Sequence, residues 1–153
     1  MSPKQLKWLT WDEAIALQQT APKKLLIDLY TDWCGWCKKM DASTFQNEEV
    51  IAYVSANFYP VKFNAEQRET IIYAGHAFEF VENGRRGYHN LAYSLLDGRM
   101  GYPSFVYLNE KMERITTSPG FKDVPTLLNE LRFIAGEHYM QTTLEGYLKE
   151  KNN

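Results

Sequence analysis

Two residues separate the chain's only cysteines, and the pair follows directly on an apolar run, which leaves few ways for this stretch to fold. Leu25-Leu26-Ile27-Asp28-Leu29-Tyr30 is apolar without clean alternation, the pattern of a strand buried on both faces. Asp32-Trp33-Cys34-Gly35-Trp36-Cys37-Lys38 comes next, where the strand gives way to a helix. A C-x-x-C spacing at the first turn of a helix brings both sulfurs to one place, as two thiols or as one disulfide. That reads as redox chemistry.

The rest of the chain supplies the layers around this strand. Thr10-Trp11-Asp12-Glu13 is a capping box and predicts a first helix over about 11–20, ended by Pro22. Asn47 followed by Glu48 and Glu49 predicts an N-cap, with Val50, Ile51 and Val54 as the inward face of a helix to about Ala56. Phe58 to Phe63 reads as a second strand. Ile71, Ala74, Phe78 and Val81 stand at 3-4-3 spacing and predict an amphipathic helix within Glu66 to Glu82, followed by a polar loop, Asn83 to Gly87. A short helical turn is expected at Leu91 to Leu96 and a third strong strand at Ser104 to Leu108. A turn at Asn109 to Lys111 joins that strand to a hairpin partner, Met112 to Thr117. Asp123 caps a C-terminal helix through Phe133, and a last helical piece is expected from Tyr139 to Leu148. The order is that of an α/β layered domain.

The 153 residues are enough for one domain with a sizeable core, over 1–153. A net charge of −2, with no basic stripe beside the aromatic residues, argues against a nucleic-acid partner. No apolar run approaches the ~20 residues that span a bilayer. The N-terminus carries no apolar leader, so the chain as written reads as cytoplasmic, and as periplasmic if a leader has been removed. A zinc site needs four ligands, whereas there is no second cysteine pair and His76, His89 and His138 are scattered; no metal is expected.

The candidate chemistry centres on Cys34. A thiolate attacks disulfides, and the free N–H groups of a helix N-terminus favour it, with Lys38 adding a cation one turn on. Cys34 is therefore the expected nucleophile and Cys37 the resolving thiol. Asp28 is a carboxylate inside an apolar strand, costly unless paired or neutral; its pKa is expected to be raised, and it is a candidate to exchange protons with Cys37. The competing reading puts Asp28 on the solvent side of an edge strand. Lys62, at the analogous place in the next strand, is either its partner or ordinary surface. Tyr102-Pro103 precedes a strong strand, and a cis bond there would leave the Tyr102 backbone free to bind an extended peptide by strand addition.

Taken together these residues resemble the thioredoxin superfamily. They include the buried-strand Asp28, six residues before the first cysteine, then Trp33-Cys34-Gly35-Trp36-Cys37-Lys38, and then Gly101-Tyr102-Pro103 before the next long strand. Lys62-Phe63-Asn64 resembles the strand carrying the lysine that pairs with the buried aspartate, and Gly120 matches a glycine near the active site. The resemblance implies a thioredoxin fold, with a central mixed β-sheet flanked by helices, a cis-Pro at Pro103, and reversible dithiol–disulfide exchange without an added cofactor. Trp36 stands where ordinary thioredoxins have proline. The Trp-Cys-Gly-Trp-Cys form is more similar to bacterial proteins related to the C-terminal domain of the transmembrane thiol:disulfide interchange proteins, which are often extracytoplasmic. The gap between Lys62 and Pro103 implies a helical insertion at about 65–90, before the cis-Pro loop.

The expected activity is reduction of protein or peptide disulfides by a monomer that an upstream electron donor recycles. Cys34, Cys37, Asp28 and Lys62 are its catalytic residues. Trp33, Gly35, Trp36, Tyr102 and Pro103 form its docking surface. The rival readings are a non-catalytic peptide-binding module and a redox sensor.

Overall fold

In the computed structural model, which describes residues 3–152, the apolar run after Pro22 becomes an inner strand of a four-stranded mixed sheet. α1 (Trp11–Gln18) opens the chain, with the Thr10 hydroxyl accepting from the Glu13 N–H and the Glu13 carboxylate accepting from the Thr10 N–H. β1 (Lys24–Tyr30), α2 (Gly35–Ala42), α3 (Glu48–Asn57) and β2 (Phe58–Asn64) follow. Two short hairpins come next, β3 (Ile71–Tyr73) with β4 (His76–Phe78) and β5 (Phe80–Asn83) with β6 (Arg86–His89). α4 (Asn90–Leu95), β7 (Ser104–Leu108), β8 (Arg114–Pro119), α5 (Val124–Ala135) and α6 (Leu144–Lys151) complete the chain.

The sheet order is β2-β1-β7-β8, with β1 parallel to β2 and antiparallel to β7, and β7 antiparallel to β8. Side chains alternate across a strand, so β1 serves two cores at once. Leu25, Ile27 and Leu29 pack with Trp11 and Ala14 of α1 and Leu91 and Ala92 of α4. Leu26 faces the other way, into Met40, Val50, Val54, Leu127 and Leu131 from α2, α3 and α5. Asp28 shares the face of Leu26, and the register sets it beside Lys62 on β2 and Phe105 on β7. This is the central mixed sheet flanked by helices that the resemblance implied.

The insertion is not helical. Residues 71–89 are two β-hairpins, and the helix expected over Glu66 to Glu82 is absent. Ala74 and Gly75 both take positive φ, 53° and 78°, and close a two-residue turn between β3 and β4. Ile71 and Phe78 are cross-strand partners in that hairpin, so their spacing mimics a helical period that the backbone never adopts. Gly84, at φ 67°, lies in the second turn, within the stretch expected to be a loop. At the C-terminus the last helix begins at Leu144 rather than near Tyr139, because Thr143 caps it through the Gly146 N–H.

Candidate active site

Cys34 is the N-cap of α2, and its Sγ accepts the Cys37 N–H at 3.1 Å. The cap position leaves the first N–H groups of the helix directed at this sulfur, where they favour negative charge. Cys34 and Cys37 are joined by a disulfide and both are buried. The two tryptophans of the motif are open to solvent instead, Trp33 at 51% and Trp36 at 57% exposure. The Trp36 ring lies 5.5 Å from that of Phe121, with the Lys39 ammonium 4.9 Å above it.

Asp28 is 1% exposed, so the solvent-edge alternative does not hold. Its Oδ2 accepts from Lys62 Nζ at 2.8 Å, while its buried Oδ1 has no hydrogen-bond partner among the described residues. Burial pushes the Asp28 carboxyl up to about 6, against the pull of the Lys62 ammonium. Lys62 also donates to Asp41 Oδ1 at 2.7 Å. Burial drags the Lys62 ammonium down, yet the two carboxylates outweigh it and leave the group raised. Asp41 stands four residues after Cys37 on α2, and residues so spaced share a helix face. The lysine thus ties Asp28 to the side of α2 that carries the second cysteine. Thr31, which follows β1, accepts the Cys34 N–H at its carbonyl, and its own buried hydroxyl has no partner among the described residues.

The Tyr102–Pro103 peptide is cis and precedes β7. Pro103 O accepts from Gly120 N at 2.8 Å, with Gly120 at φ 96°. Among the described residues neither the N–H nor the carbonyl of Tyr102 has a hydrogen-bond partner. The Tyr102 ring meets Trp33 edge-on at 5.9 Å, and burial, reinforced by Glu66, pushes its hydroxyl up to about 12. Gly35 opens α2 with no heavy atom within contact of a would-be Cβ.

Three side chains near the motif escaped sequence reasoning. Asp41 carried a usable signal, its spacing from Cys37. Glu66 and Arg86 carried none: Glu66, in the turn after β2, was read as the start of a helix, and the hairpin that brings Arg86 to Trp33 was read as a loop. Among the described residues no group of three or more His, Cys, Asp or Glu is arranged to hold a metal, and no helix is long and apolar enough to cross a membrane.

Residues 2–131 match the family model Thioredox_DsbH, described as a protein of unknown function, DUF255. A Caenorhabditis elegans protein described as uncharacterized is 23% identical over 133 residues, which take in 81% of this chain and 16% of that protein. The chain spans less than a fifth of the length of the curated relatives it matches. Among solved structures, a DsbH oxidoreductase superposes with a TM-score of 0.62 at 15% identity, over 88% of each chain. The reduced C-terminal domain of Neisseria meningitidis DsbD gives 0.50 at 21% identity, over 78% of this chain and 87% of that one. At these identities the likeness to the solved structures is one of fold. The match over most of its length makes this chain a member of the Thioredox_DsbH (DUF255) family, with the thioredoxin fold and a close-spaced cysteine pair of the kind thiol–disulfide oxidoreductases use.

Proposed function

We propose that the protein reduces disulfides of proteins or peptides through Cys34 and Cys37. The observation that carries this reading is Cys34 at the N-cap of α2, its sulfur accepting a helix N–H, three residues from a cysteine with which it forms a disulfide.

In the reduced protein the Cys34 thiolate attacks one sulfur of the substrate disulfide. A Cys34–substrate S–S bond forms, and the other substrate sulfur leaves as a thiolate that takes up a proton. Cys37 then loses its proton and attacks Cys34 Sγ. The Cys34–Cys37 disulfide forms, the second substrate sulfur leaves, and two electrons have passed to the substrate. An upstream dithiol donor returns the protein to its reduced state.

Asp28 is the proposed acceptor of the Cys37 proton. A carboxyl with a pKa of about 6 is largely ionised at neutral pH yet basic enough to take up a proton, and its unpartnered Oδ1 has a free lone pair for it. Lys62 is the proposed positioning residue that holds Oδ2 and keeps the carboxyl from titrating higher. Trp33, Gly35, Trp36, Tyr102 and Pro103 are proposed to receive the substrate as an extended strand along the unpaired Tyr102 backbone.

The test is trapping. Reduced Cys37→Ala, mixed with a fluorescent disulfide-bonded peptide, is expected to accumulate a covalent adduct that dithiothreitol dissolves, while Cys34→Ala forms none. A Cys37→Ala protein that forms no adduct, or one that turns over like the wild type, would count against catalysis and in favour of a binding module.

A further inference from the structure

Residues 65–89 add nothing to the central sheet, yet two of their side chains reach the cysteine motif. Glu66 Oε1 accepts the Trp33 Nε1–H at 3.0 Å. The Arg86 guanidinium lies over the Trp33 ring, 4.7 Å from its centroid, and its Nη1 is 3.7 Å from the same Glu66 oxygen. With the edge contact to Tyr102, a half-exposed tryptophan is held by three partners from three separate segments.

The platform that presents Arg86 is fixed at its base. Ala65 N–H donates to Tyr30 O at 2.8 Å and His89 N–H to Ala65 O at 2.6 Å, tying both ends of the insertion to the end of β1. The fully buried His89 ring accepts from the Leu91 N–H at Nδ1, which leaves Nε2 to donate to Glu69 O at 2.8 Å. Burial lowers the His89 pKa, so the ring is held neutral in this tautomer. Next to Arg86, Gly87 is packed so closely that a Cβ there would meet the Phe80 ring at 2.2 Å; Arg68 lies 4.1 Å from that ring's centroid. The hairpin therefore has little freedom to carry Arg86 away from Trp33.

Resting on the thiol–disulfide reading above, we propose that Glu66 and Arg86 are positioning residues that fix Trp33 as one wall of the substrate groove, so that the twin-hairpin insertion selects extended polypeptide disulfides over small ones. A polypeptide paired with the Tyr102 backbone runs past the Trp33–Tyr102 contact, whereas a small disulfide needs only the sulfurs. Ordering Trp33 in advance removes entropy that binding would otherwise lose.

The experiment compares a disulfide-bonded peptide with hydroxyethyl disulfide, a small neutral substrate, using the full chain and a chemical dithiol as electron donor. Arg86 is 61% exposed, so Arg86→Ala is not a folding risk. Arg86→Ala and Glu66→Ala are each expected to raise KM for the peptide about three- to tenfold, the size of one partly exposed cation–π contact. Peptide kcat should change less, and the peptide-to-small-disulfide ratio of kcat/KM should fall to match. Arg86→Lys and Glu66→Gln, which keep a cation and an acceptor, should recover part of the selectivity. A ratio equal to that of the wild type in both alanine variants, or an equal fall on both substrates, would overturn the proposal alone. No turnover of either substrate by the wild type would overturn the thiol–disulfide reading and this proposal with it.

Discussion

Asp28 and Glu130 are both carboxylates buried among the residues on one side of the sheet, and their surroundings treat them in opposite ways. Glu130, on α5, has both oxygens occupied: Oε2 accepts the Tyr107 hydroxyl at 2.6 Å and Oε1 the Ser118 hydroxyl at 2.5 Å. Beside it Lys122 turns its ammonium onto the carbonyls of Ser118, Pro119 and Gly120, at 3.0 to 3.4 Å. Asp28 has one oxygen on Lys62 and the other without a partner among the described residues. A buried carboxylate with a donor on each oxygen is a structural joint, and one with an oxygen that has no donor can take a proton there without breaking a bond. The first locks β7 and β8 to α5. The second is tied through Lys62 to Asp41 on α2, the helix that carries Cys37.

Breaking the satisfied carboxylate should give the larger loss of stability. Glu130→Ala strands the Tyr107 and Ser118 hydroxyls, and two lost charge-assisted hydrogen bonds cost about 3–4 kcal/mol. For a chain of this size that is a fall in Tm of roughly 10 °C by calorimetry, with no change in the pH profile of turnover. An unchanged Tm would mean the Glu130 network carries no stability.

The opposite sign is expected at Asp28. Its folded-state pKa of about 6 lies above the ordinary 3.8, so between those values the native state holds a proton that the unfolded chain has released. Stability from this group is therefore lost as pH rises from about 4 to 6, by at most about 3 kcal/mol. Asp28→Asn removes that loss. It should be more stable than the wild type above pH 6, with the gain shrinking to little near pH 4, while resolution by Cys37 slows by about 10²-fold or more. Denaturant melts across this range and single-turnover kinetics read the two effects. A variant both less stable and fully active at neutral pH would equate Asp28 with Glu130 and remove it from the mechanism.

The finest probe is Lys62→Met. Lys62 holds the Asp28 carboxyl down, so its loss should move the acid limb of the pH–rate profile upward from about 6 while the protein stays folded. A limb that does not move would mean that another group titrates there.

How much of this was legible in the sequence follows from where each signal resides. β1, β2 and β7 are apolar runs, and α1, α2 and α3 carry their own caps, so local residues suffice to find them. The Asp28–Lys62 pairing was only half legible: both interrupt apolar strands, but Lys62 could equally have been surface until the parallel register set the two side by side. The hairpins were not: Ala74 takes a positive φ that its side chain does not advertise, and the cross-strand pair Ile71 and Phe78 imitates a helical period. Glu130 left a signal that went unread, a charge set among Leu127, Leu128, Leu131 and Ile134 on the apolar face of α5. The contacts of Glu66 and Arg86 with Trp33 depend on how the insertion folds back, which no local pattern records.

The central claim is that Cys34 and Cys37 form a reducing redox couple, and the reduction potential of the pair tests it most directly. Equilibration at pH 7 against glutathione and dithiothreitol, read by tryptophan fluorescence, should give a value near or below that of thioredoxin, about −270 mV. A value near that of the strong periplasmic oxidants, about −120 mV, would contradict the reductase reading and make the protein a disulfide donor. A pair that does not cycle would contradict the redox reading altogether.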